Sequence, residues 1–297
     1  MKKPKLIVFG ELSRPHVREA MERFLAFADA QAEIIGNCLE TGCEANDLRQ
    51  ADFAVVFGGD GTILRAAREL CQTSVPVIGV NVGKLGFLAE FSIEELTEQF
   101  DRIVKGQTLI EKRMILHCDV LRQGREIFTY TAVNDVVITA GPPFNMLELK
   151  LTVQNQKLAV CIGDGVIVST PTGSTAYNLS AGGPILSANL SAIVLTPICP
   201  HSLSFRPIVL NADQQLRIEP LRVNEETTLL LDGQMRQRLL VNDVVAIRKH
   251  AGQFLVVNNP LRTQWDTLAT KLNWAQKPRY ADRQSHSQSF TQQGGQL

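Results

Sequence analysis

FAVVFGGDGTILRAA (residues 53–67) is the stretch that decides the fold class. FAVVF (53–57) is a continuous apolar run, as a strand buried on both faces requires. TILRAARELCQ (62–72) then reads as a helix, and Gly58-Gly59-Asp60-Gly61-Thr62 stand between the two. The same alternation extends on both sides. KLIVF (5–9) and PVIGV (76–80) are further short apolar runs. Val17, Met21, Phe24, Leu25 and Ala28 fall at i, i+4, i+7, i+8 and i+11, the stripe of an amphipathic helix. IEELTEQFDRIV (93–104) is a second one, ending before Gly106. Strands and helices alternating at this spacing predict βαβ units on a parallel sheet over residues 1–108.

Beyond residue 108 the texture changes. RMILHCDVL, IFTYTAVNDVVI, LELKLTVQ, KLAVCI, GVIVS, AIVLTP, TTLLL, RLLVN and VVAIRK read as short strands. Turn chemistry such as RQG, AGPP, QNQ and HAGQ separates them. Residues 109–262 therefore predict a β-rich domain, sandwich-like or barrel-like. TQWDTLATKLNW (263–274) again has a helical pattern. The last stretch, 277–297, is rich in Gln and Ser with little to bury, and is expected to be disordered.

Bulk properties narrow the function. A chain of 297 residues allows about two domains and a sizeable core without metal or disulfide staples. Thirty Lys and Arg balance thirty Asp and Glu, so nucleic acid or an anionic membrane surface is a poor default partner. Any anion must be held by a local site. The six cysteines form no C-x-x-C, and are expected as small buried hydrophobes in a reducing compartment. The five histidines lack zinc-ligand spacing. The N-terminal apolar stretch is too short for a signal peptide, and no run of eighteen apolar residues exists. A cytoplasmic location is the expectation.

The glycine cluster after FAVVF lies where open α/β sheets bind ligands, at the carboxyl edge of a strand. Glycines let backbone N–H groups approach an anion, and the helix dipole favours negative charge there. It fits neither the P-loop nor the G-x-G-x-x-G pattern. It reads as a phosphate loop of Gly58, Gly59, Gly61 and Thr62, or as a tight turn with Asp60 or Thr62 capping the helix. An Asp within a phosphate loop makes sense if it accepts a proton from a hydroxyl or helps to hold a metal ion. A second cluster, GDGVIVSTPTGSTAYNLSAGGP (163–184), is dense in hydroxyls and amides and carries an aromatic face at Tyr177. That composition suits ribose, phosphate and base edges. A capped polar loop would show some of the same features.

The GGDGT loop, NDVVI (134–138) and the 163–184 block, in that order and spacing, resemble the NAD kinase family. NVGKLGFLAE (81–90), PICPHSLSFRP (197–207), DGQ (232–234) and TLATKLNW add to the likeness, which runs from about residue 5 to 275. The resemblance implies an NAD kinase-like fold whose final segment (263–276) returns to the first domain. It implies transfer of the ATP γ-phosphate, with Mg²⁺ or another divalent metal, to the 2′-hydroxyl of the adenosine ribose of NAD. Asp60 would take the hydroxyl proton, with Gly61 beside it and Arg65 near the phosphates. Asn134 and Asp135 would bind the adenosine portion. Asp164 and Thr175, Ala176, Tyr177, Asn178, Leu179 and Ser180 would line the dinucleotide pocket, and Gln234 would add a contact. LLLDGQMRQRLL also reads simply as a hairpin with a D-G turn. Metal ligands are not identified. Family members form homodimers or homotetramers, in which Asp164 would serve a neighbouring subunit. GGDGT is shared with lipid kinases, so a diacylglycerol-type kinase is the alternative within the reaction class; a non-catalytic nucleotide-binding regulator is the alternative outside it.

Overall fold

The computed structural model describes residues 3–38, 45–83 and 86–274. The expected tail (277–297) lies outside the described residues. In chain order the elements are β1 (Lys5–Gly10), α1 (Pro15–Ala28), β2 (Glu33–Asn37), α2 (Ala45–Gln50), β3 (Phe53–Phe57), α3 (Asp60–Leu70), β4 (Val77–Val80) and α4 (Ile93–Val104). Then come β5 (Ile110–Arg122), β6 (Arg125–Ala132), β7 (Asp135–Thr139), β8 (Leu147–Val153), β9 (Gln156–Gly163), β10 (Gly165–Ser169) and α5 (Tyr177–Ser180). The remainder is β11 (Ala192–Ile198), β12 (Ile208–Asn211), β13 (Leu216–Arg222), β14 (Thr228–Leu231), β15 (Met235–Arg238), β16 (Val244–Val257) and α6 (Gln264–Leu272). The chain up to Arg262 forms one unit, and Thr263 onward a second that holds α6 with its Thr263–Asp266 capping box.

Strands β1, β2, β3 and β4 pair in parallel, and their apolar runs are explained by burial on both faces. Leu6, Val8, Val55 and Phe57 face α1 and α4, where they meet Phe24 and Phe100. Ile7, Ala54, Val56 and Val77 face α3, where they meet Ile63 and Ala67. Helix α4 begins with a capping box, in which Ser92 accepts from the Glu95 N–H and Glu95 accepts from the Ser92 N–H. Among the described residues the β-rich portion forms a six-stranded sheet, ordered β12-β11-β10-β7-β14-β15, with antiparallel pairing throughout. Its apolar face shares a core with β5, β8 and β13, through Val166, Val168, Leu149, Leu151 and Ile218.

Several local expectations need correction. HAGQ (250–253) is not a turn. It is a bulge, with a register shift between Lys249 and Gln253, and β16 continues to Val257. Val256 then pairs in parallel with Val77, so the parallel sheet and the antiparallel strands beside it are one sheet. RLLVN ends as strand at Arg238. IFTYTAVNDVVI is two strands, broken at Val133-Asn134. Three of the free cysteines are buried as expected, but Cys199 is exposed and Cys38 is disulfide-bonded. Among the described residues no helix is long and apolar enough to cross a membrane.

Candidate active site

Helix α3 opens without a side-chain cap. Its N-cap is Gly59, in extended backbone, and the N–H groups of Gly59, Asp60 and Gly61 have no hydrogen-bond partner among the described residues. Three such donors at the positive end of a helix dipole are an arrangement that can accept an anion. Gly58 is required by close approach, since a Cβ there would stand 2.5 Å from Thr62 Oγ1. These donors border a cleft of about 610 Å³, whose far wall is the β1–α1 connection with Ser13 and Arg14. Arg65 lines the same cleft one turn along the helix.

Asp60 does not cap the helix. Its carboxylate reaches across to the segment after β4, where Oδ2 accepts from the Phe87 N–H at 2.9 Å. Oδ1 accepts from the N–H of Leu88 at 3.0 Å and of Ala89 at 3.4 Å. Gly86 has to be glycine, because a Cβ there would lie 2.0 Å from Oδ1. Gly79 on β4 lets this segment cross closely, its absent Cβ being 2.5 Å from the Leu88 carbonyl. A carboxylate has about four lone-pair directions, so among the described residues three amides leave one at Oδ2 for a further donor.

A second group of residues gathers around Asp232. Its backbone makes the D-G turn that the pattern predicts, with φ of 50° at Asp232 and 65° at Gly233. Its side chain does something the turn reading cannot show. Oδ1 accepts from the N–H groups of Asn134 (2.7 Å) and Asp135 (3.2 Å), and Oδ2 from that of Val133 (3.0 Å). Arg68 of α3 completes the arrangement with an ion pair at 3.1 Å, its side chain only 8% exposed. Arg68 also donates to Gln234, and Gln234 donates onward to the Gly61 carbonyl at 3.0 Å. Asp135 is 5% exposed and its carboxyl has no hydrogen-bond partner among the described residues. Burial first, and the Asp232 charge second, push it up to about 7.

The 163–184 block is stapled to this segment. Thr170 donates to the carbonyls of Val133 and Asn134, through Oγ1 at 2.6 Å and N–H at 2.8 Å. Gly173 packs so closely that a Cβ would lie 2.1 Å from the Asn134 carbonyl. Much of the block's polar density is then used internally. Asn178 is fully buried and donates to the carbonyls of Ser174 and Pro184, while accepting from Thr196 at 2.6 Å. Ser174 is likewise bonded within the loop. What remains outward is the Tyr177 ring, 44% exposed, and Ser180, with Thr175, Ala176 and Leu179 half-buried. The Thr172 hydroxyl is buried with no partner among the described residues.

Asp164 is not part of this gathering. Residue Ser169 at one end of β10 pairs with Asp135, and Asp164 precedes the other end, about 16 Å away at the rise of a strand. There it sits beside Cys199, whose thiol it pushes up. Asp60, Gly61, Arg65 and Gln234 share one locale, and Asn134, Asp135 and the 170–180 segment another, joined by Arg68 and Asp232. Sequence reasoning missed Arg68, the Asp232 side chain and Gly86. The D-G of 232–233 and the glycine of GFLAE were visible, but not the contacts behind them.

Comparison with known proteins finds relatives along most of the chain. Residues 13–108 match the model of the ATP-NAD kinase N-terminal domain, and residues 133–259 that of the ATP-NAD kinase C-terminal domain. The NAD kinase of Syntrophotalea carbinolica is 38% identical over 246 residues, which is 83% of this chain and 86% of that protein. The NAD kinase of Rhodopirellula baltica is 35% identical over 272 residues, covering 92% and 87%. Among solved structures, yeast NADH kinase complexed with NADH superposes with a TM-score of 0.84 at 27% identity, covering 95% of this chain and 91% of that one. An NAD kinase from Archaeoglobus fulgidus in complex with ATP gives 0.73 at 25% identity, covering 91% and 98%.

Proposed function

The chain belongs to the NAD kinase family, and from that premise we propose that it phosphorylates the 2′-hydroxyl of the adenosine ribose of NAD, with ATP as donor, to give NADP. The observation that carries the residue-level reading is the carboxylate of Asp60. Among the described residues it stands beside three unpaired N–H groups, is fixed by three others, and keeps one lone-pair direction free. In this reading the 2′-oxygen attacks the γ-phosphorus, the bond to the β-phosphate bridging oxygen breaks, and the hydroxyl proton passes to Asp60 Oδ2. ADP and NADP are the products. Phosphoryl transfer needs positioning and charge neutralisation rather than a covalent nucleophile. The phosphate chain would lie on the N–H groups of Gly59, Asp60 and Gly61, with Arg65 alongside.

Among the described residues no three His, Cys, Asp or Glu side chains converge into a metal cage. The Mg²⁺ would therefore arrive as part of the donor, held mainly by phosphates and water, as its coordination habits favour. The adenosine portion of NAD would meet Asn134, Asp135 and the face of Tyr177, and Thr175, Ala176, Leu179, Ser180 and Gln234 would line its surroundings. Asn178 would act by holding that loop in shape.

A homodimer or homotetramer, working in the cytoplasm, belongs to the same proposal. Two things support assembly: Asp164 is too far along β10 to serve the pocket of its own chain, and Phe144 and Leu203 are 69% and 88% exposed. The test is to incubate the protein with ATP-Mg²⁺ and either NAD or diacylglycerol. Formation of NADP with no phosphorylated lipid is the expected result. Absence of NADP would overturn the reading, and phosphorylated lipid would replace it with the lipid-kinase alternative.

A further inference from the structure

The proposed reaction leaves a second cleft unused. It holds about 540 Å³ beside the distal half of α3, where Arg65, Gln72, His117, Tyr130, Thr131 and His250 line it. That volume is within the range of small-molecule sites. Two imidazole rings stand in its wall. His117 of β5 and His250 in the bulge of β16 lie 5.9 Å apart between centroids at 23°, whereas Tyr130 stacks on Phe128 at 6.0 Å on the core side of the sheet. The Arg68 guanidinium lies 6.0 Å over the Tyr130 ring.

The hydrogen bonds set which polar edges are free. His117 Nε2 is 2.8 Å from Asp119, which also accepts from Thr129 at 2.7 Å and from Arg248. That network fixes the His117 ring and uses its Nε2. The Gly252 N–H donates to His250 Nδ1 at 2.9 Å. In the neutral ring the proton then resides on Nε2, which has no partner among the described residues. Arg65 is 58% exposed, with one loose ion pair to Glu69 at 3.7 Å.

Charge and composition then select the ligand. Each cation here has an anion: Arg68 with Asp232, Arg248 with Asp119, Arg65 with Glu69. A cleft so balanced gives a bare polyanion little pull, and its hydroxyls, imidazoles and guanidinium groups suit no acyl chain. A planar polar ring carrying one anionic group matches both features. We infer that this cleft binds a nucleoside phosphate, its base against the His250 ring and its phosphate on the exposed guanidinium of Arg65. Arg65 and Gln234 also line the cleft at the glycine turn, so the occupant would be its immediate neighbour. Base stacking on aromatic side chains is worth about 5- to 150-fold in affinity per base.

The experiment adds AMP to the full chain and follows the imidazole signals of His117 and His250 by NMR, assigned with His117→Gln and His250→Gln. Both signals should move along one saturable curve. His250→Ala should weaken AMP binding by at least about fivefold while leaving NADP formation without AMP unchanged. Gln72→Trp, at an exposed position on the rim, should block the cleft and abolish the signal changes without touching the core. AMP that leaves both imidazoles unmoved overturns the inference, as does equal affinity in parent and His250→Ala. A parent protein that makes no NADP refutes the proposed function only, and the imidazole readout stands apart from it.

Discussion

Replacing Asp60 by Asn separates two duties that fall on one carboxylate. Oδ1 accepts from Leu88 and Ala89, and Oδ2 from Phe87. Asparagine keeps a single acceptor oxygen. Turned towards Leu88 and Ala89, it preserves those two bonds but sets its NH₂ against the Phe87 N–H, so two donors oppose each other. An unsatisfied, partly buried donor costs about 1–3 kcal/mol. Typical domains have about 5–15 kcal/mol in hand, so the variant stays folded. The chemistry loses more, because an amide takes up no proton. Losing a general base costs about 10²–10⁴ in rate, or about 2.7–5.5 kcal/mol of barrier. Three measurements distinguish these effects: NADP formation for kcat, urea unfolding for stability, and calorimetry for NAD affinity. The expected pattern is kcat down at least about 100-fold, a modest loss of stability, and NAD binding held. Gly86→Ala makes the complementary perturbation, since its Cβ would stand 2.0 Å from Oδ1 and displace a carboxylate that is still present. It should lower turnover and stability together. Turnover of Asp60→Asn within a few-fold of the parent would refute Asp60 as the base.

Asp135 supplies a pH signature. Burial raises its carboxyl from 3.8 to about 7, so the folded protein retains a proton that the unfolded chain releases. Stability therefore falls as pH rises through that window, by up to about 4 kcal/mol above it. Asp135→Asn should flatten the decline in urea stability between pH 5 and 8, and parallel curves for variant and parent would contradict this. Tyr177→Ala should raise KM for NAD by about 5- to 150-fold with KM for ATP unmoved; because the ring is 44% exposed, thermal stability should hold, and a lower Tm with unchanged KM would place it in the core. Arg68→Ala should cost about 3 kcal/mol or more in urea unfolding, since it leaves Asp232 buried without its cation. Arg65→Ala, which breaks only a surface pair, should stay within about 1 kcal/mol of the parent.

The α/β half was legible because its strands are buried on both faces and so read as unbroken apolar runs. Strand β2 was missed for the opposite reason: it is an edge strand whose EIIGN residues are exposed or half-buried. LRIEPLR escaped notice through Pro220, which demotes a strand reading; the structure accommodates it with a register shift between Pro220 and Arg222. At the site, GGDGT was legible as chemistry because glycine, acid and helix start are side-chain and backbone signals at once. The partners of Asp60 were not, because Phe87, Leu88 and Ala89 contribute N–H groups, which every sequence has. Asp232 was hidden by its own success as a turn residue. The D-G pattern explains its backbone fully and gives no reason to ask where the carboxylate points.

These contacts make the acids of the site more than charges. Asp60 ties the start of α3 to the segment crossing β4, while Arg68 ties its later turn to Asp232 and so to the N–H groups of residues 133–135. Gln234 closes the loop by binding both Arg68 and the Gly61 carbonyl. The glycine turn that would carry the phosphates and the segment that would carry the adenosine are thus braced against the same helix. Phosphoryl transfer depends on aligning two substrates that share no covalent link with the protein, and misplacement by about 1 Å can cost about a hundredfold in rate. A brace made of carboxylates and backbone amides meets that demand, because its short hydrogen bonds allow little play and its backbone donors cannot swing away as side chains do. On the proposed function, Arg68, Asp232 and Gln234 would therefore set the relative position of donor and acceptor as much as the acid expected to take the proton.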